Sequence, residues 1–292
     1  MIMDDSNSGA ADEFADEDAI EEELAQAFLN SVQRGLSQKR ATPVAKRKEA
    51  EARVFDSMEA TSDEQALTLL LSALDADPSN AEALLALREF FSLTLEEDIA
   101  ATRAIVSIAE KRLGKKAFNA CAGHFWGFLE TRPYMRAREY LAELYLDAGM
   151  TDAAIAEWEA MLTLNVNDNQ GVRYLLLPRY LEANNREAAA GLFEAYAGDC
   201  EWSVVFVWGR LLERLLQGDA DGACRALAKA RKSNGFLEAY LLGHRGVPKI
   251  LPDVYKPGSR EEAECYAEDL MRAWNAHPDA VKWLKEQPRP RR

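Results

Sequence analysis

The chain has 292 residues, 48% of them apolar, four cysteines, three histidines and a formal net charge of −14. That is enough apolar material for a large core and excludes a chain disordered throughout. Ten carboxylates and no Lys or Arg fall between Met1 and Glu23, which leaves about −4 for the rest and argues against nucleic acid as a partner.

Residues 1–11 are acidic, carry Ser, Asn and Gly, and are expected to be disordered. From Asp12 to Leu36, the residues Ile20, Leu24, Phe28 and Val32 recur every four positions, the spacing of one helix face. This face docks either on its own body or on a partner. A basic stretch with Arg34, Lys39, Arg40, Lys46, Arg47, Lys48 and Arg53 follows, broken at Thr42-Pro43 because the residue before proline avoids helical geometry. Residues 1–61 are accordingly read as an acidic then basic arm with one amphipathic helix.

From Ser62 onward the pattern is helical and strand signals are nearly absent. "SDEQ", "SNAE", "TLEE" and "SREE" each place Ser or Thr three residues before Gln or Glu, the spacing of a capping box. Gly114, Gly149 and Gly218 each follow an apolar periodic stretch and mark helix ends. The helices come in pairs. In "ALTLLLSALDADPSNAEALLALREFF" Ala66 and Ala73 are small, Leu70 is large and Pro78 precedes the next helix, which is the tetratricopeptide order. Ala100 follows Ala66 by 34 residues, and Ala154, Ala188 and Ala223 continue at steps of 34 and 35. Each is predicted at a tight helix crossing. Leu141, Ala142, Tyr145, Gly149 and Trp158 fit the remaining positions around Ala154, and an extra helix over about Lys115 to Leu129 interrupts the register.

"LNVNDNQGVRYLLL" (Leu164–Leu177) reads as the joint between two helices, with Asn167 or Asp168 capping the second and Pro178 bending it near Tyr174. Residues 62–243 form the expected repeat solenoid. Residues 244–292 form a capping segment and basic tail: a Pro-rich entry, then a helix with Tyr266, Leu270 and Trp274 on one face and Trp283 and Leu284 beyond. The predicted fold class is all-α, a tetratricopeptide-like solenoid of helix pairs.

The segments "GHFWGFLETRPYMRA" (Gly123–Ala137), "LNVNDNQGVRYLLL", "AYLLGHRGVP" (Ala239–Pro248) and "YKPGSREEAECYAEDLMRAW" (Tyr255–Trp274) together resemble a group of bacterial tetratricopeptide-like proteins. That group is related to the eukaryotic suppressor-of-tumorigenicity proteins. The resemblance covers about Ser62 to Leu284. It implies a helical repeat fold and an interaction role, and it carries no catalytic residues. The eukaryotic relatives are membrane-associated, but no apolar run here approaches the ~20 residues needed to cross a bilayer.

Candidate chemistry is sparse. Cys121 and His124 lie three apart, on one helix face if the helix is regular, where they are either packing residues or a thiol–imidazole site. Two ligands are too few for structural zinc. The nucleotide-loop patterns GxxxxGK[ST] and GxGxxG are absent, and the widely spaced cysteines fit a reducing, cytoplasmic setting. No cofactor and no metal is expected.

In the tetratricopeptide register the concave groove contains Arg136, Glu139, Glu143, Asn169, Gln170, Arg173 and Tyr174, with Leu146 and Leu177 beside them. Asn169 and Arg173 hydrogen-bond a peptide backbone or carboxylate there, or else the asparagines only cap a helix and Arg173 pairs with an acid of its own chain. Trp126, Tyr134 and Tyr174 are core or contact residues. The leading expectation is a non-catalytic scaffold or adaptor that binds a peptide or helix of another protein, with the acidic arm steering a basic partner. The alternatives are an assembly subunit docked through Ile20, Leu24 and Phe28, and a cysteine-dependent hydrolase or redox enzyme at Cys121 and His124.

Overall fold

The computed structural model describes residues 9–288, with side chains described at Glu22 and from Leu24 onward. Residues 1–8, residues 289–292 of the basic tail and the Ile20 side chain lie outside that description. Fourteen α-helices and no strand occur among the described residues; one isolated bridge joins His124 and Asn165. The chain divides by its internal contacts into two units, residues 1–169 and 170–292. This grouping differs from the three segments read from the sequence.

The first unit holds α1 (Gly9–Ser37), α2 (Val44–Met58), α3 (Asp63–Ala76), α4 (Ala81–Arg88), α5 (Leu95–Cys121), α6 (Arg132–Asp147) and α7 (Thr151–Leu164). The helix predicted from Asp12 therefore begins at Gly9. Its apolar face docks on its own unit: α1 packs on α4 and α5, Phe28 and Val32 are fully covered, and the Phe28 ring lies 5.8 Å from that of Phe91. Gly35 is required at this crossing, because a Cβ there would meet the Pro78 carbonyl oxygen at 2.4 Å. The basic half of the arm is equally integral. Helix α2 packs along α3 through Ala50 and Val54. The linker before it is fastened by buried Asp77, which accepts hydrogen bonds from Thr42 Oγ1 (2.6 Å), Ser79 Oγ (2.8 Å) and Arg112. Burial alone would raise the Asp77 carboxyl, but these three donors outweigh it and hold the group below the ordinary aspartate value.

Local signals worked where their partners are local. Thr94 and Glu97 form the complete capping box, and Ser62 and Ser259 cap their helices. At "SNAE" the cap is Asn80, not Ser79, because the Ser79 hydroxyl is committed to Asp77. Of the alanines predicted at helix crossings, Ala154 and Ala223 are buried, Ala66 is partly covered, and Ala100 is exposed while the neighbouring Ala101 is buried. Likewise Ala189, rather than Ala188, is the fully buried one. The extra helix expected over 115–129 is present only as far as Cys121. Helix α5 breaks at Gly114 (φ 67°), resumes to Cys121, and gives way to two short 3-10 turns.

The second unit holds α8 (Val172–Glu182), α9 (Arg186–Ala195), α10 (Val204–Leu216), α11 (Ala220–Asn234), α12 (Leu237–Leu241), α13 (Arg260–Asn275) and α14 (Pro278–Glu286). Helix α13 packs on α8, α10 and α12, so it belongs to this unit's core. Trp208 and Trp274 meet edge to face at 6.3 Å, both fully buried, and Trp208 Nε1 donates to the Asn234 carbonyl. Leu177, expected in a groove, is fully buried against Gly209, where a Cβ would press on the Leu177 and Leu181 side chains at 3.1 and 3.2 Å. Buried Arg179 pairs with Asp269 and Glu182.

Candidate functional site

The described surface of the first unit carries an open apolar trough of about 620 Å³ between α2, α5, the N-terminus of α4 and the start of α6. Helix α2 offers one stripe to it, Arg47, Glu51, Phe55 and Met58, at the three- and four-residue spacing that aligns side chains on a helix. Ala50 and Val54 are buried, Val54 at the floor of the trough, while Phe55 is 61% and Met58 65% exposed. From the other side come Leu113 and Ala117 of α5 and Leu129, the last 70% exposed.

The far wall is built from an irregular segment that the sequence makes rigid. Thr131 Oγ1 donates to the carbonyls of Phe125 and Phe128, Arg132 Nε donates to Trp126 O at 3.0 Å, and its guanidinium stacks over the Trp126 ring. Phe118, Phe125 and Tyr134 form an aromatic cluster with ring centroids 4.8–6.1 Å apart. Asn165 and Val166 complete the clamp. The Val166 N–H donates to Gly123 O, and Asn165 Oδ1 accepts from the Trp126 N–H. The asparagine-rich joint therefore holds the trough wall. The N-cap residue of α8 is Gly171, in the left-handed region (φ 79°), and not Asn167 or Asp168.

Charges ring the trough unevenly. Arg112 bridges Asp77 and Glu51, and Arg136 pairs with Glu82. Arg47 and Glu130 form no ion pair among the described residues, and the buried Nε atoms of Arg47 and Arg136 have no hydrogen-bond partner.

Of the seven expected groove residues, four lie in the first unit and three in the second. Arg136 lines the trough. Glu139 and Glu143 lie further along α6, where desolvation, then the charges of Glu139 and Asp147, raise the Glu143 carboxyl. Asn169 accepts a hydrogen bond from Asn165 Nδ2 at 3.2 Å. Gln170, Arg173 and Tyr174 belong to the second unit. There Arg173 pairs with Asp199, lies over the rings of Tyr174 (4.2 Å) and Tyr196 (5.0 Å), and donates to the Tyr174 hydroxyl at 2.7 Å. Burial, reinforced by Asp199, pushes the Tyr174 hydroxyl up to about 12 against the opposing charge of Arg173. Of the N-terminal set, Phe28 is covered by its own unit and Leu24 is partly covered.

Cys121 is buried at the end of α5, whereas His124 is exposed in the following turn, its N–H bonded to Cys121 O at 2.9 Å. The two therefore do not share a helix face. Among the described residues, no group of three or more His, Cys, Asp or Glu is placed to hold a metal ion, and no helix is long and apolar enough to cross a membrane. No protein-family model, curated protein or solved structure matches the chain.

Sequence reading missed the trough's main residues, Phe55, Met58 and Leu129. One signal was present in α2: a four-residue stripe ending in two large apolar side chains, on a helix whose Ala50 and Val54 already supply a covered face.

Proposed function

We propose that the chain is a non-catalytic protein-binding scaffold or adaptor whose first unit receives an apolar segment or helix face of another protein in the trough. The observation that supports this reading is the grouping of Phe55, Met58 and Leu129, all more than half exposed, around one cavity. Single exposed apolar residues are ordinary, but a cluster rimmed by charge marks an interaction surface. Such a groove takes up apolar anchors spaced along a peptide, while Arg47, which forms no ion pair among the described residues, supplies a cation at its rim. The resemblance to tetratricopeptide-like proteins points to the same kind of role.

The test compares wild type with the Met58→Asp and Leu129→Asp variants as baits in the native host, read by quantitative mass spectrometry. Circular dichroism confirms that each variant is folded. A partner depleted at least tenfold by both substitutions supports the trough. Equal recovery by all three baits removes it.

A further inference from the structure

The second unit displays a loop as conspicuous as the trough. Between α12 and α13, within "GVPKILPDVYKPG" (Gly246–Gly258), Ile250 is 88% and Val254 82% exposed, and Leu251 and Tyr255 are also exposed. Ile250 and Val254 are almost uncovered, whereas Leu251 and Tyr255 are about half covered, the Tyr255 ring by Tyr266 at 5.9 Å. The loop is nonetheless fixed in shape. Its Tyr255 hydroxyl hydrogen-bonds that of Tyr266 (2.7 Å), Cys265 Sγ donates to Pro252 O (3.6 Å), and the Gly258 N–H donates to Glu262 (2.7 Å). Gly258 has φ 78°, and a Cβ there would press on the Ser233 carbonyl oxygen at 3.0 Å. Pro248, Pro252 and Pro257 further restrict the backbone. A segment ordered before binding loses little conformational freedom when it docks.

We infer that the trough of one copy of this chain receives the Ile250–Tyr255 loop of a second copy. The inference rests on the proposed reading of the trough and names its partner. The projecting apolar pair Ile250 and Val254, with the exposed edge of Leu251 beside it, matches a trough lined by Phe55, Met58 and Leu129, and about 620 Å³ is a volume that takes several side chains. The charges left over on the two surfaces also correspond. Arg47 and Glu130 at the trough have no ion-pair partner among the described residues, and neither do Lys249, Asp253 and Lys256 on the loop. Asp253 supplies the acid for Arg47, and a flanking lysine supplies the cation for Glu130. Opposite charges around an apolar contact select register and partner.

The experiment is analytical ultracentrifugation of the full chain over a range of concentrations, at about 0.15 M salt so that the −14 charge is screened. Wild type is compared with a trough variant (Met58→Asp), a loop variant (Ile250→Asp with Val254→Asp) and an equimolar mixture of the two. Wild type is expected to self-associate, and each variant at least tenfold more weakly. The mixture is expected to form a one-to-one pair, because it restores one intact loop and one intact trough. A wild type that stays monomeric, self-association unchanged by either variant, or a mixture that does not pair overturns the inference. If it falls while Met58→Asp still loses the host partner, the trough reading survives; if Met58→Asp alters neither, both fall.

Discussion

Helix α2 in the first unit and the start of α8 in the second carry the same ingredients, an arginine set among aromatic and apolar side chains, and spend them in opposite ways. Around Arg173 everything is consumed internally: Asp199 takes the charge, and Tyr174 and Tyr196 take the faces of the guanidinium. Around Arg47 little is consumed. Phe55 and Met58 stand largely in solvent, and the arginine has no acid among the described residues. An arginine beside a tyrosine in a sequence is therefore no guide to binding. What matters is whether the fold brings an acid and a second ring to the same place.

The largest effects are expected where each unit is most deeply closed. Trp274→Ala opens a cavity beside Trp208 and is expected to cost about 3–5 kcal/mol in urea unfolding. Asp77→Ala is expected to cost about 3 kcal/mol, because Arg112, Thr42 and Ser79 lose their common acceptor. Amide exchange should then rise first in α2 and residues 38–43; uniform exchange would show that Asp77 does not seat the trough-bearing helix.

Acid titrates the same contrast more gently. Asp77 is depressed in the fold, so its stabilisation is complete above the ordinary aspartate value and is lost as the pH falls through the lower folded one, below about 4. Asp269 in the second unit is raised, by desolvation against the pull of Arg179. Its ionisation therefore costs stability, a penalty absent in acid that appears as the pH rises through the folded value. Urea midpoints between pH 2.5 and 6 are expected to show the acid limb flatten in Asp77→Asn and not in Asp269→Asn. Equal limbs in the two variants would remove the contrast.

Arg173→Lys removes the planar group lying over two rings and is expected to cost about 1–2 kcal/mol without touching partner binding. Met58→Asp sits at the small end. On a side chain 65% exposed it is expected to change stability by about 0.5 kcal/mol or less, so any loss of binding cannot be blamed on unfolding. A large stability loss there would mean that the trough is part of the core.

Much of the fold was legible and little of the site. Thr94 and Glu97 sit three apart and find each other wherever the rest of the chain lies, so their capping box follows from local spacing. Ser79 satisfied the same local rule and failed it, because Asp77 competes for its hydroxyl while itself held by Arg112, 35 residues away. The one-residue offsets at Ala101 and Ala189 have a related cause: which of two adjacent alanines is buried depends on the rotation of the helix against its neighbour, and periodicity reads that only to within a position.

The sequence by itself determined most of the helices, their Ser62, Thr94 and Ser259 caps, and the left-handed glycines that end them at Gly149 and Gly218, since each needs only neighbours a few residues away. Tertiary structure alone decided which apolar stripes are covered. Phe28 and Phe55 are alike as sequence, yet one is sealed against Phe91 and the other lines an open trough. Burial is conferred by residues distant in the chain, as Thr42 meets Asp77 across 35 positions and Arg179 meets Asp269 across 90. A helical period names the faces of a helix and does not say which of them another element will reach.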